Sequence, residues 1–228
     1  SDSGEIMDQE IDYAHSAGLS YFAFCYYHPK AWQGADQYNY GWKRYLSSSK
    51  KDQIQFCLIL QPHLGPSSEW ERTVDILIGF FREPTYQKVL EDRPLVFFYG
   101  LEKCVNVFGS VEAGRNAWDQ LRTTSQREGT GNPYLVAQNT TWEIIDQYGF
   151  DAAGAYSLQG KEGGFCEQPY EKLAVGNHHR WQDYLTPGRS FVPLVNAGWD
   201  PRPRYADPKQ AEMYGKNPWF SQPTPAEL

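Results

Sequence analysis

The sequence predicts an α/β fold, a (β/α)8 TIM barrel in which parallel strands alternate with helices. Short apolar runs alternate with amphipathic segments, and the runs are apolar throughout rather than at every second position. Continuous apolar strands are typical of a parallel sheet that helices cover on both faces. Most of the runs are also followed by hydrogen-bonding or aromatic side chains, and a barrel of this type builds its site from the carboxyl ends of its strands.

The helices follow from the spacing of apolar residues. Met7, Ile11 and Ala14 share one face of a helix predicted over residues 4–17, and Gly18 ends it. The same spacing predicts further helices near residues 38–48, 67–81, 111–128, 141–148 and 169–184.

The strands are the apolar runs between these helices. They are predicted over residues 19–26, 54–60, 94–99, 134–137, 152–156 and 191–195. About six strands are fewer than the eight of a complete barrel. We therefore expect a single barrel domain over residues 1–228 that lacks its first and last strands.

The composition limits the partners. A chain of 228 residues, of which 40% are hydrophobic, can bury the core of one large domain. The net charge of −7 argues against nucleic acid, whose binding needs a basic surface. No apolar stretch reaches the length of a membrane helix. We expect neither a nucleic-acid nor a membrane partner and favour a secreted or periplasmic location over the cytoplasm; the oligomeric state is left open.

No pattern indicates a cofactor or a metal. The glycine-rich loops GxGxxG and GxxxxGK of nucleotide-binding folds do not occur in the sequence. His178 and His179 are adjacent rather than one helical turn apart, and no two cysteines have zinc-finger spacing. We expect no cofactor and no catalytic metal. Cys104 and Cys166 lie in predicted loops, and whether they pair is left open.

Polar groups able to act on a substrate follow the predicted strands. Asp200 is the acid best placed after a strand, and it would bind or polarise hydroxyl groups, with Arg204 orienting its carboxylate. His28 and His63 follow two other strands and are candidates for proton transfer. Asp151 precedes its strand and should lie at the opposite, stabilising face of the barrel.

The remaining predicted site residues are amide, aromatic or cationic groups at strand ends. A flat apolar ring beside hydrogen-bonding groups suits a sugar, which has an apolar face and a rim of hydroxyls. The predicted substrate-binding residues are Tyr27, Gln61, Asn139, Tyr156, Trp199 and Arg204. Because of their common position just after apolar strands, we expect Gln61, His63, Asn139, Tyr156 and Asp200 to converge at one end of the barrel.

Several short motifs, taken in order, resemble proteins related to glycoside hydrolase family 99, in particular the WbsX-type proteins of polysaccharide gene clusters. The motifs are MDQEI at 7–11, the aromatic-rich run at 18–27, FFREPTY at 80–86 with RPL at 93–95, GFDA at 149–152, and WD at 199–200 with PR at 203–204. The resemblance implies a (β/α)8 barrel with a cleft for a carbohydrate. It also implies that the late glutamate pair, which does the acid and base work in that family, lies beyond Leu228.

Two departures from the family pattern concern the site. The segment LQPH at 60–63 stands where the family has a Trp-Ala-Asn-Glu-like segment, and Arg202 stands where it often has a small polar residue. We expect a carbohydrate-active enzyme, a glycoside hydrolase-like protein that acts on a polysaccharide or oligosaccharide. The alternatives left open are a polysaccharide lyase that uses histidine and tyrosine as base and acid, a glycosyltransferase, and a non-catalytic carbohydrate-binding or assembly protein.

Overall fold

The computed structural model describes residues 3–31, 33–157, 165–215 and 217–227. The chain divides into two compact units, Ser1–Ala153 and Gly154–Leu228. The single barrel domain expected over residues 1–228 stays a prediction.

Strands and helices alternate along the first unit. Its helices are α1 Gly4–Ser16, α2 Ala35–Tyr38, α3 Tyr40–Ser47, α4 Trp70–Phe81, α5 Cys104–Phe108, α6 Val111–Arg127 and α7 Trp142–Tyr148. Its strands are β1 Tyr21–Tyr26, β2 Gln55–Leu60, β3 Lys88–Val89, β4 Arg93–Tyr99, β5 Tyr134–Gln138 and β6 Ala152–Gly154, the last of which ends at the boundary between the units. One-turn 3₁₀ helices occupy Lys51–Gln53, Ser67–Glu69 and Leu101–Lys103.

The sheet of this unit is parallel, as the apolar runs predict. The strand order is β1-β2-β4-β5-β6, and β1, β2, β4 and β5 pair in parallel. Tyr26 lies opposite Leu60, Leu60 opposite Phe98, and Tyr99 opposite Gln138. The carboxyl ends of four neighbouring strands therefore lie at one edge of the sheet.

The central strands are buried on both faces. Every residue of β5 is buried, as is every residue of β2 except Gln55 at its start. An aromatic cluster packs between β4 and helix α6, where the Trp118 ring lies 5.0 Å from Phe98 and 5.1 Å from Phe150, measured between centroids. Buried aromatic pairs of this kind stabilise the sheet against its covering helices.

Asp151 binds three elements together at the amino-terminal edge of the sheet. Its Oδ1 accepts a 2.7 Å hydrogen bond from Arg93 of β4, and its Oδ2 accepts bonds from Arg122 of α6 at 2.9 Å and from the backbone N–H of Leu135 in β5 at 2.8 Å. The predicted stabilising position of Asp151 is thereby confirmed.

Short elements without a periodic pattern were missed by the sequence prediction. Strand β3 forms a two-residue antiparallel ladder with β4. Helix α5 occupies the predicted loop around Cys104, whose side chain is buried. The four cysteines form no disulfide within the described part of the chain.

The second unit has a small sheet of its own. The elements of this unit are β7 Glu167–Gln168, α8 Tyr170–Tyr184, β8 Ser190–Val192, the 3₁₀ helix Arg202–Ala206, α9 Pro208–Tyr214 and β9 Trp219–Phe220. Strands β7 and β9 pair in parallel, with Glu167 opposite Trp219. Tyr170, Leu173 and Phe220 form a buried cluster under this pair.

Of the buried strand predicted over 191–195, only 191–192 belong to a strand, β8, and none of the three residues of β8 is buried. Strand β8 ends at Val192, before Pro193, which has no N–H to donate to a ladder. Val195 is 53% exposed, so the segment that leads to Asp200 is a loop on the surface of its unit.

Within the described ranges, none of the helices has the length and apolar character needed to cross a membrane.

Replacing Asp151 should destabilise the fold. Asp151→Asn keeps the size of the side chain but leaves the guanidinium groups of Arg93 and Arg122 without their shared carboxylate. Because these side chains are only 14–22% exposed, we expect the free energy of unfolding in urea to fall by about 2 kcal/mol, less than for a fully buried pair.

Asp119→Asn is the matched control. Its carboxylate is 55% exposed and lies 3.9 Å from Arg115, so its loss should cost less than about 0.5 kcal/mol. Equal effects of the two substitutions would contradict the structural role of Asp151.

Candidate functional site

The carboxyl edge of the first unit carries most of the predicted polar residues. Tyr27 and His28 follow β1, Gln61 and His63 follow β2, and Asn139 follows β5. The register of the strands brings these strand ends to one edge. The ends of β1 and β2 are in direct contact, because Gln61 Nε2 donates to Cys25 Sγ at 3.6 Å.

His28 is enclosed by its surroundings. The side chain is 5% exposed, and its Nδ1 accepts a 3.2 Å hydrogen bond from the backbone N–H of Lys30. Gly65, at φ +83°, packs so closely that an added Cβ would lie 2.5 Å from His28 Cε1. The ring therefore fixes the loop after β2 onto the end of β1.

Burial sets the protonation state of His28. It lowers the pKa of the imidazole below the ordinary 6.5; the positive charges of Lys30 and Arg72 lower it further, while Glu69 opposes the shift. Because Nδ1 accepts a bond, the neutral ring carries its proton on Nε2.

His63 and Tyr27 have different surroundings. His63 lies exposed in the loop that follows β2. Tyr27 is half-buried, and its ring centroid lies 5.1 Å from that of Tyr38. The buried Asn39 side chain accepts from the Tyr27 N–H at 3.0 Å and donates to the Tyr27 carbonyl at 2.8 Å, which fixes this strand end.

Asn139 turns the chain out of β5. Its φ of +56° is left-handed, a conformation that asparagine adopts more readily than most residues. Its side chain is exposed, and Thr141 then caps helix α7 by accepting from the N–H of Ile144. The residue is thus accessible for the predicted binding role, which stays a prediction.

Asp200 is paired, but with a different arginine from the one expected. Its Oδ2 accepts from Arg202 Nη2 at 2.7 Å, and its Oδ1 accepts from Arg202 Nε at 2.8 Å and from the Arg202 backbone N–H at 3.0 Å. These hydrogen bonds lower the pKa of the Asp200 carboxyl below its ordinary value, so the group is ionised. The expectation that Arg204 orients Asp200 is wrong, because the turn after Asp200 directs Arg202 to it.

Arg204 instead stacks on aromatic rings. Its guanidinium carbon lies 5.3 Å from the ring centroids of both Trp199 and Tyr214. Trp199 also packs against the cluster of Tyr170, Leu173 and Phe220. The Trp199 ring, which is predicted to stack on a sugar, is therefore already in contact with other side chains of the protein. The substrate-binding roles of Trp199 and Arg204 stay predictions.

A cavity of about 430 Å³ lies beside Asp200 in the second unit. Its lining comes from β7, from the loop before the 3₁₀ helix, and from β9 with the residues after it. We call it the Asp200 cavity; the residues that line it include Glu167, Trp199, Asp200, Arg202, Trp219 and Gln222. Its volume lies within the range of small-molecule sites.

Two of these residues, Trp219 and Gln222, were not predicted from the sequence as members of a site. Trp219 enters through the pairing of β9 with β7, which joins segments about fifty residues apart. Arg202 enters through its hydrogen bonds to Asp200. Glu167 enters as the first residue of β7.

Tyr156 is 38% exposed in the second unit. The convergence of Tyr156 and Asp200 with Gln61, His63 and Asn139 stays a prediction. In the described ranges, His, Cys, Asp and Glu side chains form no group of three or more that could hold a metal ion.

Comparison with known proteins finds similarity of fold. No family model and no curated protein matches the chain. A solved structure of a glycoside hydrolase-like protein is similar to this chain, with a TM-score of 0.67 and 12% sequence identity. The match covers 97% of this chain and 69% of the other protein's chain.

The GH99 endo-alpha-mannosidase from Bacteroides thetaiotaomicron matches 87% of this chain with a TM-score of 0.54 and 13% identity; the chain spans 55% of the mannosidase's length. The complex of that enzyme with bis-tris propane has a TM-score of 0.56, 14% identity, and coverage of 91% and 61%. These matches confirm the α/β barrel-type fold class and, at the level of fold, its resemblance to family 99. The WbsX-type relationship stays a prediction.

The lowered pKa of His28 predicts a pH dependence of stability. The unfolded state binds a proton near pH 6.5, whereas the folded state resists protonation until a lower pH. The contribution of His28 to the free energy of unfolding is therefore fully present above pH 6.5. It is lost as the pH falls through the pKa that His28 has in the folded protein. Between pH 7.5 and 5, the wild type should therefore lose stability against unfolding that His28→Gln, which has no imidazole to protonate, does not lose.

The check is urea unfolding of both proteins across this pH range, with an NMR titration of the imidazole. A His28 midpoint at or above 6.5, or parallel stability profiles for the two proteins, would contradict the enclosed neutral histidine.

Asp200→Asn separates a structural from a functional Asp200. Both partners of the pair are 40–49% exposed, so the free energy of unfolding should fall by less than about 1 kcal/mol. If Asp200 binds substrate, kcat/KM or affinity should fall at least about tenfold, because a hydrogen bond to a charged group is lost. Asp183→Asn, which removes an exposed partner of Arg180, is the control. A large loss of stability with unchanged kinetics would remove Asp200 from the site.

Proposed function

We propose that the protein is a carbohydrate-active enzyme, a glycosidase that acts on a polysaccharide or oligosaccharide. The observation that carries the proposal is the set of polar side chains at the carboxyl edge of a parallel sheet, in a fold similar to that of the GH99 endo-alpha-mannosidase. Enzymes of the barrel class place their active sites at this edge. The aromatic rings and the carboxylate–guanidinium pair around Asp200 suit a hydroxyl-rich substrate.

The two histidines serve different purposes in this proposal. His28 is buried and uses Nδ1 to hold the loop, so it positions the strand end. His63 is exposed in the loop that follows β2 and has access to solvent. We therefore assign proton transfer to His63.

Asp200 acts as a fixed negative charge. A carboxylate held ionised by Arg202 is a poor general acid near neutral pH. It can accept hydrogen bonds from sugar hydroxyls and can stabilise positive charge that develops on a sugar ring. Within the first unit, Tyr27, Gln61 and Asn139 contact the substrate; within the second unit, Tyr156 does so.

A non-catalytic carbohydrate-binding protein is the second candidate. It is favoured by the pairing of Asp200 with Arg202, because that pairing suits recognition of hydroxyl groups and not transfer of a proton. The two candidates differ in whether products form.

The test is a screen of the protein on defined neutral and acidic polysaccharides, with new reducing ends and unsaturated products both measured. We expect reducing ends without unsaturation, and His63→Asn should lower kcat about 100-fold or more. His179→Asn changes an exposed histidine on α8 and is the matched control. Unsaturated products would indicate a lyase, and binding without products would indicate the second candidate.

A further inference from the structure

Backbone hydrogen bonds build the walls of the Asp200 cavity. The Trp219 N–H donates to the Cys166 carbonyl at 3.2 Å, the Phe220 N–H to the Trp199 carbonyl at 2.9 Å, and the Ser221 N–H to the Gln168 carbonyl at 3.0 Å. The three lining segments are therefore joined by main-chain contacts. Rigid walls reduce the entropy that a ligand must overcome on binding.

Helix α8 supports the loop that leads to Asp200. Tyr170 Oη donates to the Asn196 carbonyl at 2.7 Å, and Trp181 Nε1 donates to the Leu194 carbonyl at 2.9 Å. Asn196 Nδ2 also donates to the Oδ1 of the buried Asn177 at 3.3 Å. The position of Asp200 thus depends on packing as well as on its own turn.

The charged groups of the cavity surround one guanidinium. Arg202 is held by Asp200 and lies 4.5 Å from the centroid of the Trp219 ring. The hydrogen bonds to Asp200 and the negative charge of Glu167 raise the pKa of Arg202. Glu167 itself is exposed, at the strand position opposite Trp219.

From this arrangement we propose that the Asp200 cavity is a binding subsite for a neutral sugar residue, with Glu167, Arg202 and Gln222 as its hydrogen-bonding groups beside Asp200. The inference rests on the proposed function and narrows its substrate class. Arg202 Nη1, which does not bond Asp200, can donate to a hydroxyl oxygen. The carboxylates can accept from hydroxyl groups, and the Trp219 ring, with Arg202 over it, forms an apolar wall.

The charge of the cavity selects against acidic sugars. Glu167, Asp200 and Arg202 together carry a net charge of −1 at neutral pH, and Arg202 is already neutralised by Asp200. A uronate would have to bring its carboxylate next to Glu167 without an available cation among these three groups. Like charges in such proximity weaken binding, whereas a neutral hexose meets no repulsion.

The test is calorimetric titration of the full chain with mannotetraose, maltotetraose, cellotetraose and tetragalacturonate at pH 7. We expect at least one neutral tetrasaccharide to bind at least about tenfold more tightly than tetragalacturonate. Glu167→Gln should weaken that binding about tenfold, the scale of one hydrogen bond to a charged group. Glu212→Gln, which removes another exposed carboxylate, from α9 and outside the lining of the cavity, should leave the binding unchanged.

Arg202→Lys is a second variant, because lysine keeps the charge but cannot reproduce the bidentate bond to Asp200. It should also weaken binding of the neutral tetrasaccharide. If Glu167→Gln fails to fold, the result for Arg202→Lys tests the subsite instead. Absence of binding by every neutral tetrasaccharide, equal or tighter binding of tetragalacturonate, or equal behaviour of Glu167→Gln and Glu212→Gln would overturn the inference. Polysaccharide cleavage that neither variant affects would overturn it while leaving the proposed function intact. Binding without cleavage would support the subsite and argue against the enzyme.

Discussion

The shared carboxylate of Asp151 is the constraint on which the geometry of the first unit depends. Asp151 directly precedes β6 at the amino-terminal edge of the sheet. From there its carboxylate accepts hydrogen bonds from β4, β5 and α6. In a parallel sheet, a slip of one residue would move every side chain of a strand to its other face. Fixing the strands at this edge therefore also determines which residues emerge at the carboxyl edge, where the candidate site lies. The stabilising contacts of Asp151 and the candidate site thus lie at opposite ends of the same strands, the arrangement that is typical of barrel enzymes.

The polar residues at the carboxyl edge are of two physical kinds. His28 and Asn39 are buried and hold the backbone, the first through Gly65 and Lys30 and the second through Tyr27. His63 and Asn139 are exposed at the same edge. His28, His63 and Asn139 all follow apolar runs, and so all three satisfy the same sequence rule. Only the packing of the neighbouring loop distinguishes a residue that supports the site from one that can meet a substrate.

The sequence predicted the parts of the fold that local chemistry determines. Apolar runs identified β2, β4 and β5, and helical spacing identified α1, α4 and α6, because burial on one or both faces leaves a pattern in the chain. The pairing of β7 with β9 leaves no such pattern, since two residues on each strand meet across about fifty positions. The choice between Arg202 and Arg204 as partner of Asp200 was equally hidden. Both lie a few residues away, and the turn into the 3₁₀ helix decides between them.

The pairing of Asp200 with Arg202 also determines which chemical role the Asp200 carboxylate can take in the candidate site. A carboxylate with two bonds to a guanidinium remains ionised, and it holds its partner in one orientation. Such a pair presents an acceptor and a donor side by side, which matches adjacent hydroxyl groups on a sugar better than either charge alone. The same pairing makes Asp200 unsuited to carry a proton to a leaving group. In the proposed function, Asp200 therefore recognises hydroxyl groups and another group transfers the proton, since the guanidinium that orients the carboxylate also keeps it charged.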